Sequence, residues 1–354
     1  MRSLQKSIIV STACCLLALQ QTSFGFQSFG DGVQLPLEQH ADLTAYPQII
    51  HQKVDDKGTY KAGFINQDGK VVIQPSLDEA LGFGEDLAPA RLGKKWGFID
   101  INGHWVIKPL FDGPSGFSEG LSPAKLGNKF GYIDKSGKMI IQPQFEYAAD
   151  FRQGLTLVGK GGKRFFITRS GKPAFGKRWD NLFEISSFSE GRAKIKENGK
   201  WGFIDQKGNT VIKPVFDDAY DFSSGLAPVK KGEKWGFIDN SGSLVIDFQF
   251  TAASSHLDGL AYVLTDGKYG YINNRGEFVI PAKFESAMIF TEGLAAVKVN
   301  EKWGYIGRNG EFLIMPQFDS AGAFQGKIAY VTKGRQEGYI NKEGKFVWER
   351  RSDE

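Results

Sequence analysis

Isoleucines stand at Ile65, Ile99, Ile133, Ile167, Ile204, Ile238, Ile272, Ile306 and Ile340, and every interval between them is 34 residues except one of 37. A chain that copies itself nine times at this spacing must stack like units, because one unit of that length cannot bury its own apolar face. Helical repeats share this period, but the residues here oppose them. Each unit carries several glycines and short runs of β-branched or aromatic residues, with no apolar face recurring every 3.6 positions. The 354 residues include 44 glycines, well above the ordinary level of about 7%, which calls for many tight turns.

The copies share the pattern F-x-x-G-L-A-x-V-x-x-G-x-K-W-G-F-I-D-x-x-G-x-x-V-I-x-P-x-F-D-x-A, in which KWGFID stands at Lys95–Asp100, Lys200–Asp205 and Lys234–Asp239. The pattern divides into three strands, which in the sixth unit are Leu226 to Lys230, Lys234 to Asp239 and Leu244 to Phe248. A glycine follows each ruler isoleucine by four places, from Gly69 to Gly344. It suits a D-x-x-G hairpin loop that needs one residue at positive φ, where Asp100, Asp134, Asp205 and Asp239 can accept hydrogen bonds from the turn's own amides. Proline at Pro75, Pro109, Pro143, Pro214 and Pro316 is expected to end the third strand.

Both sides of the middle strand are apolar, since Trp235 and Phe237 share one face and Gly236 and Ile238 the other. The covers are then the preceding and following units. Burying one tryptophan of about 200 Å² is worth roughly 5 kcal/mol gross, so packing alone accounts for the motif. The neighbouring glycine is expected to leave a hollow for a large side chain of the next unit. The fold expected is all-β: tandem 34-residue three-stranded β-meanders, closed as a propeller-like ring or left as an open superhelical β array.

Residues 1–25 have the pattern of an export signal: Arg2 and Lys6, then a mostly apolar run from Ile8 to Leu19, then small residues ending at Gly25. The run falls short of the roughly 20 residues of a membrane span. Lipoprotein cleavage before Cys14 lacks the large aliphatic residue expected upstream. The expected layout is a signal at 1–25, a linker at 26–45, nine repeats at 46–348 and a tail at 349–354. Cys14 and Cys15, the two cysteines, fall inside the signal, so the mature chain would have no disulfide or cysteine metal site. The net charge of +4 drops to about +2 without Arg2 and Lys6, giving no general pull toward nucleic acid or anionic membrane.

The chain resembles the bacterial WG-repeat (KWG-repeat) proteins through the K-W-G-[FY]-I-D-x-x-G-x-x-V-I-x-P-x-F-D core, from about Tyr46 to Trp348. The resemblance implies β-rich tandem repeats in exported or surface-associated proteins with interaction roles, and it brings no catalytic residues. This chain departs at Ala62, Phe130, Tyr269 and Glu337, which replace the tryptophan, and at Phe248, which replaces the proline. The fourth unit departs most. There the WG pair becomes Arg164 and Phe165, three residues are inserted, and Lys160, Lys163, Arg164, Arg169, Lys172, Lys177 and Arg178 precede the first acid, with Trp179 available to stack. These eight residues form a candidate site for an anionic partner such as an acidic glycan; the alternative is a set of solvated strand ends.

Catalytic chemistry finds little purchase. His40, His51, His104 and His256, the four histidines, occupy unrelated repeat positions, and His256 replaces a phenylalanine. Acids recur at Asp78, Asp112, Glu146, Asp217, Glu285 and Asp319, but repeated carboxylates share one environment, whereas a glycosidase needs two with separated acidities; closing the loop between units is their expected role. No phosphate-binding loop, nucleotide fingerprint or nucleophile elbow is present. The function expected is an exported, non-enzymatic scaffold without cofactor or metal. It would bind a protein or polysaccharide partner at the cell envelope or outside the cell, with no nucleic acid and no membrane span after signal removal. The alternative is a carbohydrate-active or cell-wall-acting enzyme on the same array. An enzyme should concentrate one polar cluster in one or two units, and a scaffold should vary broadly along an edge.

Overall fold

The computed structural model describes residues 46–55, 58–176 and 184–351. The expected signal and linker, Cys14, Cys15, His40, Lys177, Arg178 and Trp179 lie outside the described residues. Every described element is a β-strand, and the strands form nine antiparallel sheets, one per unit. Blade two shows the usual plan: a short strand Glu79–Ala80, a first strand Ala88–Leu92, a middle strand Lys95–Ile99 and an edge strand Trp105–Phe111. The short strand comes from the F-D-x-A segment that follows the preceding unit's third strand, and it brings six of the described sheets to four strands. Two residues of pairing leave almost no periodicity to read, which is why the pattern suggested three.

The open question of closure is decided in favour of a ring. Tyr339 of blade nine donates its hydroxyl to the Ile49 carbonyl of blade one at 2.9 Å, and Arg350 donates to the His51 carbonyl at 2.7 Å. Ile50 and Ile65 of blade one share a core with Ile328 and Tyr339 of blade nine. The ninth strand set continues to Arg351.

Between successive blades the apolar seal is made by the aromatic after the WG glycine. Phe98, Tyr132, Phe203, Phe237, Tyr271 and Tyr305 are each at most 1% exposed. Each meets the phenylalanine of the next unit's F-x-x-G segment or its substitute: Phe98 with Phe117 at 4.8 Å between ring centroids, Tyr132 with Phe151 at 4.9 Å, Phe237 with His256 at 5.0 Å. Such tilted or edge-on pairs place a ring's positive edge against its partner's negative face. Trp235 is also buried, stacked on Tyr220 at 4.9 Å. Trp96, Trp201 and Trp303 are half-buried, so the copied tryptophan seals blades less completely than the aromatic two places after it.

Two local expectations are corrected. The WG glycine does not leave a hollow for the next unit. A Cβ on Gly97 would lie 2.3 Å from the Ile107 carbonyl oxygen of the same blade, and on Gly236 2.6 Å from that of Ile246. The blade's own edge strand bends across the glycine at a bulge, visible as register shifts between Trp96 and Phe98. The proline likewise lies inside the edge strand, as Pro109 does in Trp105–Phe111, because a bulge is where a missing donor costs little. Blade four, with Phe165 in place of the glycine, has no edge strand among the described residues; an isolated Ile167–Pro173 bridge stands there.

Candidate functional site

Antiparallel hairpins put the D-x-x-G and F-x-x-G turns at one end of every blade and the G-x-K turns at the other. At the G-x-K end the lysine of the motif meets the acid after the edge strand: Lys95 and Asp112 at 2.6 Å, Lys129 and Glu146 at 2.9 Å, with Lys61–Asp78, Lys200–Asp217 and Lys302–Asp319 alike. The same carboxylate accepts the amide of the next blade's turn glycine, as Asp112 does from Gly127 at 2.8 Å and Asp217 from Gly232 at 2.7 Å. The lysine hydrogen bond first, and the backbone amide second, hold Asp112, Asp217 and Asp319 below the usual carboxylate range. The recurring acids close loops, as their repetition suggested.

At the opposite end the turn acids do local work. Asp239 accepts from the amides of Ser241 and Ser243, each at 2.9 Å, and its acidity is raised first by the Ser241 hydroxyl. Glutamates at positive φ in the F-x-x-G turns reach forward to the next blade: Glu85 accepts from the Gly120 amide at 2.9 Å, Glu119 from Gly154 at 2.9 Å and Glu190 from Gly225 at 2.9 Å. The second turn position is filled by five kinds of residue over the nine blades: Gln67, Ile101, Lys135, Arg169, Gln206, Asn240, Asn274, Arg308 and Lys342.

The basic segment of blade four divides between these ends. Lys160 and Lys163 flank the hairpin turn at the G-x-K end, exposed, with Lys160 donating to Gln144 at 2.9 Å. Arg164 lies over the Tyr147 ring at 4.4 Å. Arg169 and Lys172 stand in the D-x-x-G turn, about 17 Å away along the middle strand, where Arg169 pairs with Glu119 at 3.8 Å. Lys160 and Lys163 are brought together, as are Arg169 and Lys172, but the two pairs are not.

Sequence inspection missed a second departure, one blade on. In the first strand of blades six, seven and eight, positions one and three are Leu226 and Pro228, Leu260 and Tyr262, Leu294 and Ala296. Blade five has Arg192 and Lys194 there, with Lys196 next on the same face and Ala193 and Ile195 buried on the other. Aligning the nine units column by column would have exposed it. Arg192 donates to the Asn240 carbonyl of blade six at 3.1 Å, and Lys194 to the Ala219 carbonyl at 3.1 Å with Asp221 at 3.7 Å. Lys194 and Lys196 each lie 5.3 Å from the centre of the Trp201 ring, and Lys194 6.0 Å from that of Tyr220. Arg192 Nε, Asp221 Oδ1 and Asn240 Oδ1 are buried without hydrogen-bond partners.

The histidines stay apart. His104 is exposed beside Asp100 at 3.3 Å. Burial lowers His51 to about 4, with Arg350 adding to it. Burial also lowers His256 to about 4; the nearby Asn273 backbone offsets a little of this, although neither ring nitrogen completes a hydrogen bond of good geometry. A histidine whose folded pKa lies below its unfolded value of 6.5 destabilises the fold as pH falls through that interval, because the unfolded chain takes up the proton first. Stability is expected to drop by about 3 kcal/mol between pH 6.5 and 4 on account of His256. His256→Phe, restoring the residue of the other units, is expected to raise the melting temperature at pH 5 more than at pH 8; equal gains at both would remove the histidine from the acid response.

A repeat profile described as "WG containing repeat" matches residues 63–96, 96–130, 130–163, 166–201, 201–235, 235–269, 269–303 and 303–335. No curated protein matches the chain. Among solved structures, that of a eukaryotic initiation factor superposes with a TM-score of 0.59 at 10% identity, over 82% of this chain and 93% of that one. BamB from Moraxella catarrhalis gives 0.38 at 11% identity over 76% and 95%, and apo AztD from Citrobacter koseri 0.41 at 12% over 76% and 93%. Such identities speak to the fold alone, whereas the repeat profile follows the units from Gly63 to Arg335 in phase with the blades. The chain is a propeller-like scaffold of the WG containing repeat family.

Proposed function

We propose that this chain is an exported, non-enzymatic scaffold that binds a protein or polysaccharide partner at the cell envelope or outside the cell, through the face bearing the D-x-x-G and F-x-x-G turns. The observation that carries this reading is the contrast on that face. The turn backbone repeats from blade to blade, while its outward residue runs from Ile101 to Lys135, Arg169, Asn274 and Arg308, each exposed. Loops that vary on a rigid support are where recognition is built. The leader pattern of residues 1–25 supports export.

Capture of cell-envelope proteins and glycans by the mature chain, compared with variants on each face, tests this. Lys135→Ser/Arg169→Ser/Arg308→Ser is expected to lose at least tenfold in capture, and Lys160→Ser/Lys163→Ser at the other end to lose little. The opposite ranking, or equal capture by both, would overturn the assignment of the face.

A further inference from the structure

We propose that Asn198 is a site of spontaneous covalent modification, where the chain turns an asparagine into aspartate and isoaspartate through a cyclic imide. The inference is independent of any partner. Asparagine precedes glycine at Asn102, Asn198 and Asn309, and a glycine, having no side chain, hinders least the attack of its own amide nitrogen on the residue before it. The fold treats these three pairs differently. Asn102 and Asn309 stand in D-x-x-G turns, where the glycine amide is already engaged: Gly103 N–H donates to the Asp100 carbonyl and Gly310 N–H to the Gly307 carbonyl, each at 2.9 Å. A nitrogen that holds its proton in a hydrogen bond is a poor nucleophile. Space is closed there as well. A Cβ on Gly103 would lie 3.2 Å from Ile73, and one on Gly310 3.0 Å from Ile280, both side chains of the preceding blade's edge strand.

Asn198 stands in the other kind of turn. Glu197 pairs with Lys200, so Asn198 and Gly199 make a two-residue hairpin loop, with φ of 51° and 77°. Both are exposed. The Gly199 N–H meets no backbone acceptor among the described residues, and a Cβ there would have nothing within 4 Å. The nitrogen and the side chain before it are therefore free to meet. The Gly199 nitrogen attacks Cγ of Asn198; the new N–Cγ bond closes a five-membered imide while the Cγ–Nδ2 bond breaks and ammonia leaves. Water then opens the imide at either carbonyl, giving aspartate or isoaspartate, with no oxidant or cofactor required. The aspartate product matches the turn that blade seven carries as Asp266 and Gly267, at φ of 49° and 74°. Isoaspartate adds a backbone methylene to a loop of two residues, which the pairing of Glu197 with Lys200 leaves no slack to absorb.

Peptide mapping by mass spectrometry of the full folded chain, aged at mildly alkaline pH in heavy-oxygen water, reads the site directly. Asn198 is expected to convert at least tenfold faster than Asn102 and Asn309, to take up the heavy oxygen, and to give isoaspartate among its products. In urea, where the turns are gone, the three are expected to convert at similar rates. Asn198→Gly gives blade five the turn that blade four carries as Gly161 and Gly162 and leaves no side-chain amide to close the imide. It is expected to stay folded and to lose the acidic species that accumulates in the native chain. Similar rates at the three sites of the folded chain would overturn the assignment. So would an Asn198 still intact when the urea-unfolded chain has converted, or an acidic species that accumulates undiminished in Asn198→Gly.

Discussion

Phe98→Ala is expected to cost about 3–5 kcal/mol, the range for emptying a fully buried phenylalanine site, whereas Trp96→Ala, two positions earlier in the motif, is expected to cost no more than about 2 kcal/mol. Phe98 is fully buried and tilted against Phe117 across the joint between blades two and three. Its removal opens a cavity walled by Ile107, Phe111, Ala124 and Ile133, which the strands on both sides hold in place. Trp96 is half-buried, with Arg91 at 5.9 Å from its ring centre, and its truncation exposes surface that already meets water. At about 2–4 °C per kcal/mol for a chain of this scale, the first variant should melt roughly 6–20 °C lower by scanning calorimetry. Equal losses from both would return the sealing role to the tryptophan.

Deletion of the closing strand, from Phe346 onward, is expected to abolish cooperative folding. An open array can lose an end unit and keep the rest, because each unit leans only on its neighbours. In a ring the last strand also completes the joint with the first blade. Without it Ile50, Ile65, Ile328 and Tyr339 lose the cover of Val347 and Trp348, and the Arg350 bond to the His51 carbonyl disappears. Uncovering four such side chains is worth on the order of 6–10 kcal/mol, comparable with the whole stability of an ordinary protein. Loss of the calorimetric transition, or association through the bared joint, is the expected result. A monomer that melts as sharply as the full chain would show that closure adds nothing.

Much of this architecture was legible in the repeat itself. The 34-residue period, the glycine four places after each ruler isoleucine, and the alternation of Trp235, Phe237 and Ile238 specified β-blades with covers on both sides, and the turn aspartates behaved as their spacing required. The short strand typified by Glu79–Ala80 was not legible, because two paired residues carry no periodicity. Nor was the role of the WG glycine. Gly97 is needed because the backbone of Lys108 and Pro109 passes over it, a contact between residues ten or more positions apart that depends on a bulge in the edge strand.

The candidate site followed the same division. A run of cations is visible to anyone reading Lys160 to Arg178, yet an antiparallel hairpin sends Lys160 and Lys163 to one end and Arg169 and Lys172 to the other. Arg192, Lys194 and Lys196 are fewer and interleaved with Ala193 and Ile195, so they look unremarkable in a line of text. Strand alternation gathers them on one face, and the next blade sets Asp221 and Asn240 against it.

By itself the sequence determined the number of units, their strands and turns, and the positions that must be apolar, because these depend on residues within one period. The tertiary structure alone decided that the ninth blade meets the first, which aromatic seals each joint, and which charged groups share a seam. Those depend on groups a blade or more apart in the chain, and their distances are fixed only when the stacked blades turn through a full circle.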